Sequence, residues 1–287
     1  MELNLNHEDI LSTVAEKGFC ILPSFLSPSD LALLQKDCNF VVNNSSHSIP
    51  SCIYEPVETT SSKHRTDSTV YGDARNNNSI LSLLLGRNKG GKRLLEIVRL
   101  ILGDEVYVLN EQYIVKPPSF CSKKRKRIEY NDIQMNTITT SFAWHRDADY
   151  LRRAGILHPE PSLSVWCALD DVDKMNGTLT FAPLDNVKDR VTIKEKAGTV
   201  VLISSEVLHC SSGNQSKHDR RVWMPQYSAR PQRWECKKVT DGSISVSVSG
   251  SGSGSDNDNG NGNGNGCTVE VEGKDDEYVA LAIKVEN

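Results

Sequence analysis

A chain of 287 residues with 37 acidic and 33 basic side chains, net charge −4 and 38% hydrophobic content can bury a substantial core. Its balance of charge argues against general affinity for nucleic acid or a membrane surface. No apolar run reaches the roughly 18 residues of a transmembrane helix. Met1-Glu2-Leu3-Asn4 lacks the basic-then-apolar order of a secretory leader, and Val285-Glu286-Asn287 is not a peroxisomal signal. Eight scattered cysteines without a Cys-x-x-Cys pair read as reduced thiols, so a cytoplasmic protein is expected.

In chain order, Glu8 to Lys17 carries apolar residues at helical spacing, and Gly18 suits the C-cap. Phe19 to Pro23 is a short apolar strand. Ser27-Pro28-Ser29-Asp30 then opens a second helix through Leu31, Leu33 and Leu34. Residues 43–79, rich in Asn and Ser, promise little regular structure. Ile80 to Leu102 predicts two helices broken between Gly86 and Gly91.

From Val106 the period shortens. Val106 to Leu109 and Tyr113 to Val115 predict two strands, with Pro117-Pro118 closing the second. Further strands are expected at Ser162–Leu169, Gly198–Ile203 and Arg220–Tyr227. Asn176-Gly177, between Val172 and Phe181, signals a type I′ hairpin turn. Residues 241–266 are Ser/Gly/Asn-rich and are expected to be a disordered insertion. Tyr278 to Ile283 is apolar enough for a returning strand within 267–287. The pattern predicts a mainly β domain, a jelly roll or sandwich, with N-terminal helices packed on one side.

Trp144-His145-Arg146-Asp147 holds the densest chemistry. His145 and Asp147, two apart, would share a face on an extended segment. His209 lies beyond a predicted strand that ends near Glu206. Two imidazoles and a carboxylate can occupy one face of an octahedral metal and leave three positions open, as in non-haem Fe(II) oxygenases. Taken alone, a His-x-Asp pair arises readily by chance, and a lone histidine is commonly a surface or satisfied core residue. Arg220 and Arg221, eleven and twelve residues past His209, could clamp a carboxylate in bidentate fashion. On a regular strand only one of them can point inward, and parity does not say which.

The neighbouring residues carry a resemblance. His209-x-Ser211-x-x-Asn214-x-Ser216 with Arg220 following is similar to the phytanoyl-CoA dioxygenase family of Fe(II)/2-oxoglutarate-dependent oxygenases. Gly18 to Ser27, Gln112 to Pro118, and Trp166 to Asp171 with Asn176 to Leu179 resemble other stretches of that family, in order from about Gly18 to Tyr227. The resemblance implies a double-stranded β-helix in a single domain spanning 1–287, with its core at about 18–230. It implies iron held by His145, Asp147 and His209. It also implies 2-oxoglutarate chelating that metal with its far carboxylate at Arg220, and Ser211, Lys116 and Trp166 as further contacts. The alternative for Lys116 is a solvated surface lysine, and for Trp166 a plain core aromatic.

The implied reaction consumes O2, converts 2-oxoglutarate to succinate and CO2, and hydroxylates an unactivated C–H bond of a small organic substrate. Asp147 favours hydroxylation, because related halogenases have a small residue in place of this carboxylate. Two alternatives are a non-redox cupin-type metalloenzyme and a non-catalytic binding or regulatory protein on an oxygenase scaffold.

Phe181-Ala182-Pro183-Leu184 departs from the family's Pro-Gly-Ser-His, and Cys210 replaces its usual glycine, either as a buried inert thiol or as an oxidation-sensitive one. Lys123 to Arg127 is the one strong basic run. It fits a solvated loop, a site for the phosphates of an acyl-CoA, or a nuclear signal. His158 and His218 read as surface residues, and Asp149 and Tyr150 as candidate pocket lining. No nucleic-acid or membrane partner is expected. Neither substrate identity nor oligomeric state is legible.

Overall fold

The computed structural model describes residues 6–44, 53–54, 78–118, 140–153, 156, 158–233, 245–248, 267–270, 280–281 and 283–285. Among the described residues, four helices precede most of the sheet. Helix α1 (His7–Lys17) is capped at its start by the Asn6 side chain, which accepts from the Glu8 amide, and ends at Gly18 with φ 81°. A Cβ at Gly18 would stand 2.7 Å from that of Val207, so this position takes glycine for space as well as backbone. Strand β1 (Phe19–Leu22) follows, then α2 (Pro28–Asn44). Next come α3 (Asn78–Leu84) and α4 (Lys89–Leu102), the latter capped by the Asn88 side chain. The expected break falls between them, though Gly90 and Gly91 belong to the first turn of α4.

Two antiparallel sheets form the body. The larger contains β1, β2 (Ile53–Tyr54), β3 (Tyr107–Lys116), β5 (Ser162–Ala168), β8 (Val200–Ser204), β10 (Arg220–Ser228) and β15 (Ile283–Lys284). Its order is β1-β8-β5-β10-β3-β15, with β2 also on β3. The smaller is β4-β9-β6-β7, from β4 (Phe142–His145), β9 (Leu208–Ser211), β6 (Leu179–Ala182) and β7 (Val191–Thr192). Two further ladders pair β11 (Gln232–Arg233) with β14 (Ala280–Leu281), and β12 (Ser245–Val248) with β13 (Cys267–Glu270). No helix among the described residues is long and apolar enough to cross a membrane.

Alternation sorts the large sheet's side chains into two cores. One face packs against the helices through Tyr113, Val115, Val165, Cys167, Leu202 and Trp223, meeting Leu34, Leu94 and Val98. The other face carries Trp166, Val201, Val222 and Met224 toward Leu179 and Phe181 of the small sheet. Phe19 and Phe181 stack at 4.2 Å between centroids. Each such burial removes an aromatic or branched side chain from water, for about 1.5–3 kcal/mol.

Three expectations need correction. Residues 107–116 form one strand, not two, because Asn110 and Gln112 pair with Gln226 and Met224 in the ladder with β10 and do not form a turn. Asn176-Gly177 does not close a type I′ hairpin. Gly177 has φ 88°, but Asn176 is not in the left-handed region, and β6 pairs with β9 and β7 instead of β5. Ser162–Ala168 and Leu179–Ala182 lie in opposite sheets, so the segment between them crosses the gap. Asp147, finally, is not on a strand with His145. It is the first residue of helix α5 (Asp147–Arg153). Most of 43–79 and 241–266, and all of Lys123–Arg127, lie outside the described residues.

Candidate metal centre

His145 ends β4, and His209 is its register partner on β9. Adjacent antiparallel strands therefore place both imidazoles on one face, toward the gap between sheets. The chain turns from β4 into α5 immediately after His145, with the Ala148 amide donating to Ser205 O at 3.0 Å. That turn swings the Asp147 carboxylate back between the rings. Its Oδ1 lies 3.7 Å from His145 Nε2 and 3.6 Å from His209 Nε2. All three ligand atoms fall within 4.8 Å of one another. Such separations exceed hydrogen-bond length, so the groups face a common point and not each other.

Each ring is oriented from behind. His145 Nδ1 is 2.7 Å from Ala143 O, and His209 Nδ1 is 3.0 Å from Val207 O. A carbonyl can only accept, so each Nδ1 carries a proton, and in the neutral ring it is the Nε2 lone pair that is free for a ligand. Burial and then the neighbouring His209 lower the pKa of His145, which favours the neutral, metal-binding form. Two neutral imidazoles and one carboxylate fit a first-row divalent cation held on one face. Tyr150 stands edge-on to His145, 5.2 Å between centroids, and is 42% exposed, as a group at the rim.

Across the gap, on strands of the large sheet, lie two buried cations. Lys116 ends β3 opposite Arg220, the first residue of β10, and both are almost fully buried. Lys116 Nζ donates to Ser211 Oγ and to Ser212 O, each at 2.6 Å. Arg220 Nη2 donates to Gly177 O at 2.7 Å, and its guanidinium lies 5.7 Å from the Trp166 ring. A carboxylate that reached this end of the gap would meet both cations. Gly177 makes the approach possible, since a Cβ there would sit 2.7 Å from Ser212 O and 3.0 Å from Lys116 Cδ.

The structure thus brings Lys116, His145, Asp147, Trp166, His209, Ser211 and Arg220 to the gap between the sheets. It also separates the paired arginines. Arg221 points out of the gap, where its Nη2 and Nε meet Asp170 at 2.6 and 3.0 Å and its Nη1 meets Asn39. Asn214 Nδ2 ties Lys116 O to His218 O, so it staples the loop after β9. Asp149 turns away to Arg152 and the Arg146 amide, and His158 and His218 are exposed. Cys210 alternates to the far side of β9 from His209, and burial raises its pKa.

Two residues escaped the sequence reading. Ser164 Oγ donates to Asp147 Oδ2 at 2.6 Å, and Gln226 Nε2 donates to Ser164 Oγ at 2.9 Å. Their signal was parity, since Ser164 is two residues from Trp166 and Gln226 shares Arg220's alternation.

Among sequence families, the model that matches this chain, over residues 14–222, is that of phytanoyl-CoA dioxygenase (PhyH). No curated protein matches the sequence. Among solved structures, the chain is similar to the epimerase SnoN of nogalamycin biosynthesis in complex with Fe3+, α-ketoglutarate and nogalamycin RO. That match has 13% identity, covers 98% of each chain and has a TM-score of 0.56. It is similar to EctD from S. alaskensis with 2-oxoglutarate and 5-hydroxyectoine (18% identity, 82% of this chain, 81% of that one, TM-score 0.55). It also resembles the non-haem α-ketoglutarate-dependent carbocyclase SnoK of nogalamycin biosynthesis (18%, 80% and 87%, TM-score 0.54). At these identities the likeness is one of fold, the double-stranded β-helix.

Proposed function

This chain belongs to the phytanoyl-CoA dioxygenase family, within the Fe(II)/2-oxoglutarate-dependent oxygenases, and from that premise we propose that it hydroxylates an unactivated C–H bond of a small organic molecule, releasing succinate and CO2. The observation that carries the reading is the convergence of His145, Asp147 and His209 on one point, with buried Lys116 and Arg220 in the same gap on the opposite sheet. In this reading the core of about 18–230 is the working part of a single domain.

Iron and 2-oxoglutarate, when bound, supply the oxidising chemistry together with O2. The chain's own contribution is ligation, orientation and shelter. His145, Asp147 and His209 would hold the metal, as a set of two imidazoles and one carboxylate suited to a first-row divalent cation. Arg220 clamps the far carboxylate of 2-oxoglutarate, Lys116 and Ser211 neutralise and hydrogen-bond it, and the Trp166 ring walls its chain. The apolar cluster of Phe19, Phe181, Val201 and Val222 keeps water from that end of the gap. Asp147 fills the position that a halide would need, which supports hydroxylation over halogenation.

A non-redox cupin-type enzyme would have no use for two buried cations in the same gap as the triad, and a non-catalytic scaffold would not need an intact triad. Succinate formation from 2-oxoglutarate, screened across a metabolite library, should depend on Fe(II) and vanish in His145→Ala. Unchanged turnover in that variant would sink the proposal.

A further inference from the structure

The chain Gln226–Ser164–Asp147 joins three elements that are distant in sequence. Gln226 lies on β10 where its register with β3 shifts, Ser164 lies on β5, and Asp147 opens α5. Ser164 is 3% exposed. A serine hydroxyl has one proton to give and two lone pairs to offer. Gln226 Nε2, 2.9 Å away, can only donate, so it takes a lone pair of Ser164 Oγ. The hydroxyl proton is then directed at Asp147 Oδ2, 2.6 Å away, in a short charge-assisted bond. Asp147 Oδ1 is left as the oxygen that faces both imidazoles.

We propose that Ser164 and Gln226 are positioning residues that hold Asp147 as a one-oxygen metal ligand. A carboxylate free to turn would present both oxygens to the metal and take a position needed by the co-substrate. Ser164 blocks that turn by occupying Oδ2, and Gln226 acts through Ser164 by fixing which way its proton points. The inference rests on reading His145, Asp147 and His209 as metal ligands.

The test is titration of the metal-free, full-length protein with Co(II), following its visible absorption and dissociation constant. Ser164→Ala should weaken Co(II) binding by about 10–100-fold, the range for loss of a partner behind a ligand, and should alter the absorption spectrum. Ser164→Thr, which keeps the hydroxyl, should restore most of the affinity. Gln226→Leu should weaken binding in the same direction by less. The double variant should be no weaker than Ser164→Ala, because Gln226 acts only through the hydroxyl. Wild-type affinity and spectrum in Ser164→Ala, or losses that add in the double variant, would overturn the relay. Gln226 is half-buried, so Gln226→Leu decides the matter even where the serine variant fails to fold, and wild-type affinity there is equally fatal. A wild-type protein that binds no Co(II) removes the metal reading along with the relay. Tight wild-type binding with indifferent variants removes the relay alone.

Discussion

Arg220 and Arg221 are neighbours in sequence with opposite surroundings, and the difference is one residue of strand alternation. Arg220 is buried beside Lys116 and Trp166, whereas Arg221 grips Asp170 on the other side of the sheet. Arg220→Ala should weaken 2-oxoglutarate binding by about a hundredfold, as expected for charge-assisted bonds worth about 1.5–3 kcal/mol. Calorimetry on the metal-loaded protein would measure it. Arg221→Ala should leave that affinity unchanged and cost about 1 kcal/mol or less of stability, because its pair with Asp170 is partly solvated. The reverse pattern would assign the clamp to Arg221. Strand parity alone left this pair undecided, since it says that one arginine points inward but not which, and the choice of Arg220 came from the family resemblance. Lys116 and Trp166 were likewise balanced against surface and core readings until the strands placed them together.

Among the elements, the loop that crosses between sheets depends on Gly177. Its φ of 88° disfavours a side chain, and a Cβ would strike Ser212 O. Gly177→Ala should cost about 1–3 kcal/mol in thermal or urea unfolding, and should also weaken 2-oxoglutarate binding by displacing Lys116 and the carbonyl held by Arg220. A variant as stable and as tight-binding as the parent would contradict this. Asn176-Gly177 was read as a hairpin because the dipeptide is a local cue. A double-stranded β-helix sends successive strands to opposite sheets, which a local cue does not encode. The same limit explains the helix start at Asp147, where the Ala148 amide reaches Ser205, 57 residues on in sequence. Helices α1, α2 and α4 were legible because their caps and apolar spacing are local. Ser164 and Gln226 were not, because their importance is the contact between them.

At the scale of the molecule, the helix-facing core contains thiols that burial holds protonated. Cys38 is fully buried, and desolvation pushes it from 9.0 to about 12. Burial likewise pushes up the Cys167 thiol and the Tyr227 phenol. A pKa raised on folding favours the native state below the unfolded value and loses that advantage as pH rises through the folded one. Stability should therefore fall from about pH 9 upward, and Cys38→Ala should show a shallower alkaline decline between about pH 9 and 12 than the parent. An identical slope in both proteins would mean that Cys38 ionises as freely folded as unfolded. The second core, between the sheets, sets the chemistry by gathering ligands from β4, α5 and β9 against cations from β3 and β10. The most direct test of that gathering is an anaerobic titration of 2-oxoglutarate into the Fe(II)-loaded protein, watched in the visible. Chelation by a keto acid at an iron centre with open positions should raise a metal-to-ligand charge-transfer band that saturates at one equivalent, is absent in His209→Ala, and requires far more 2-oxoglutarate in Arg220→Ala. A wild-type protein without the band, or a band of equal strength in all three, would contradict the account.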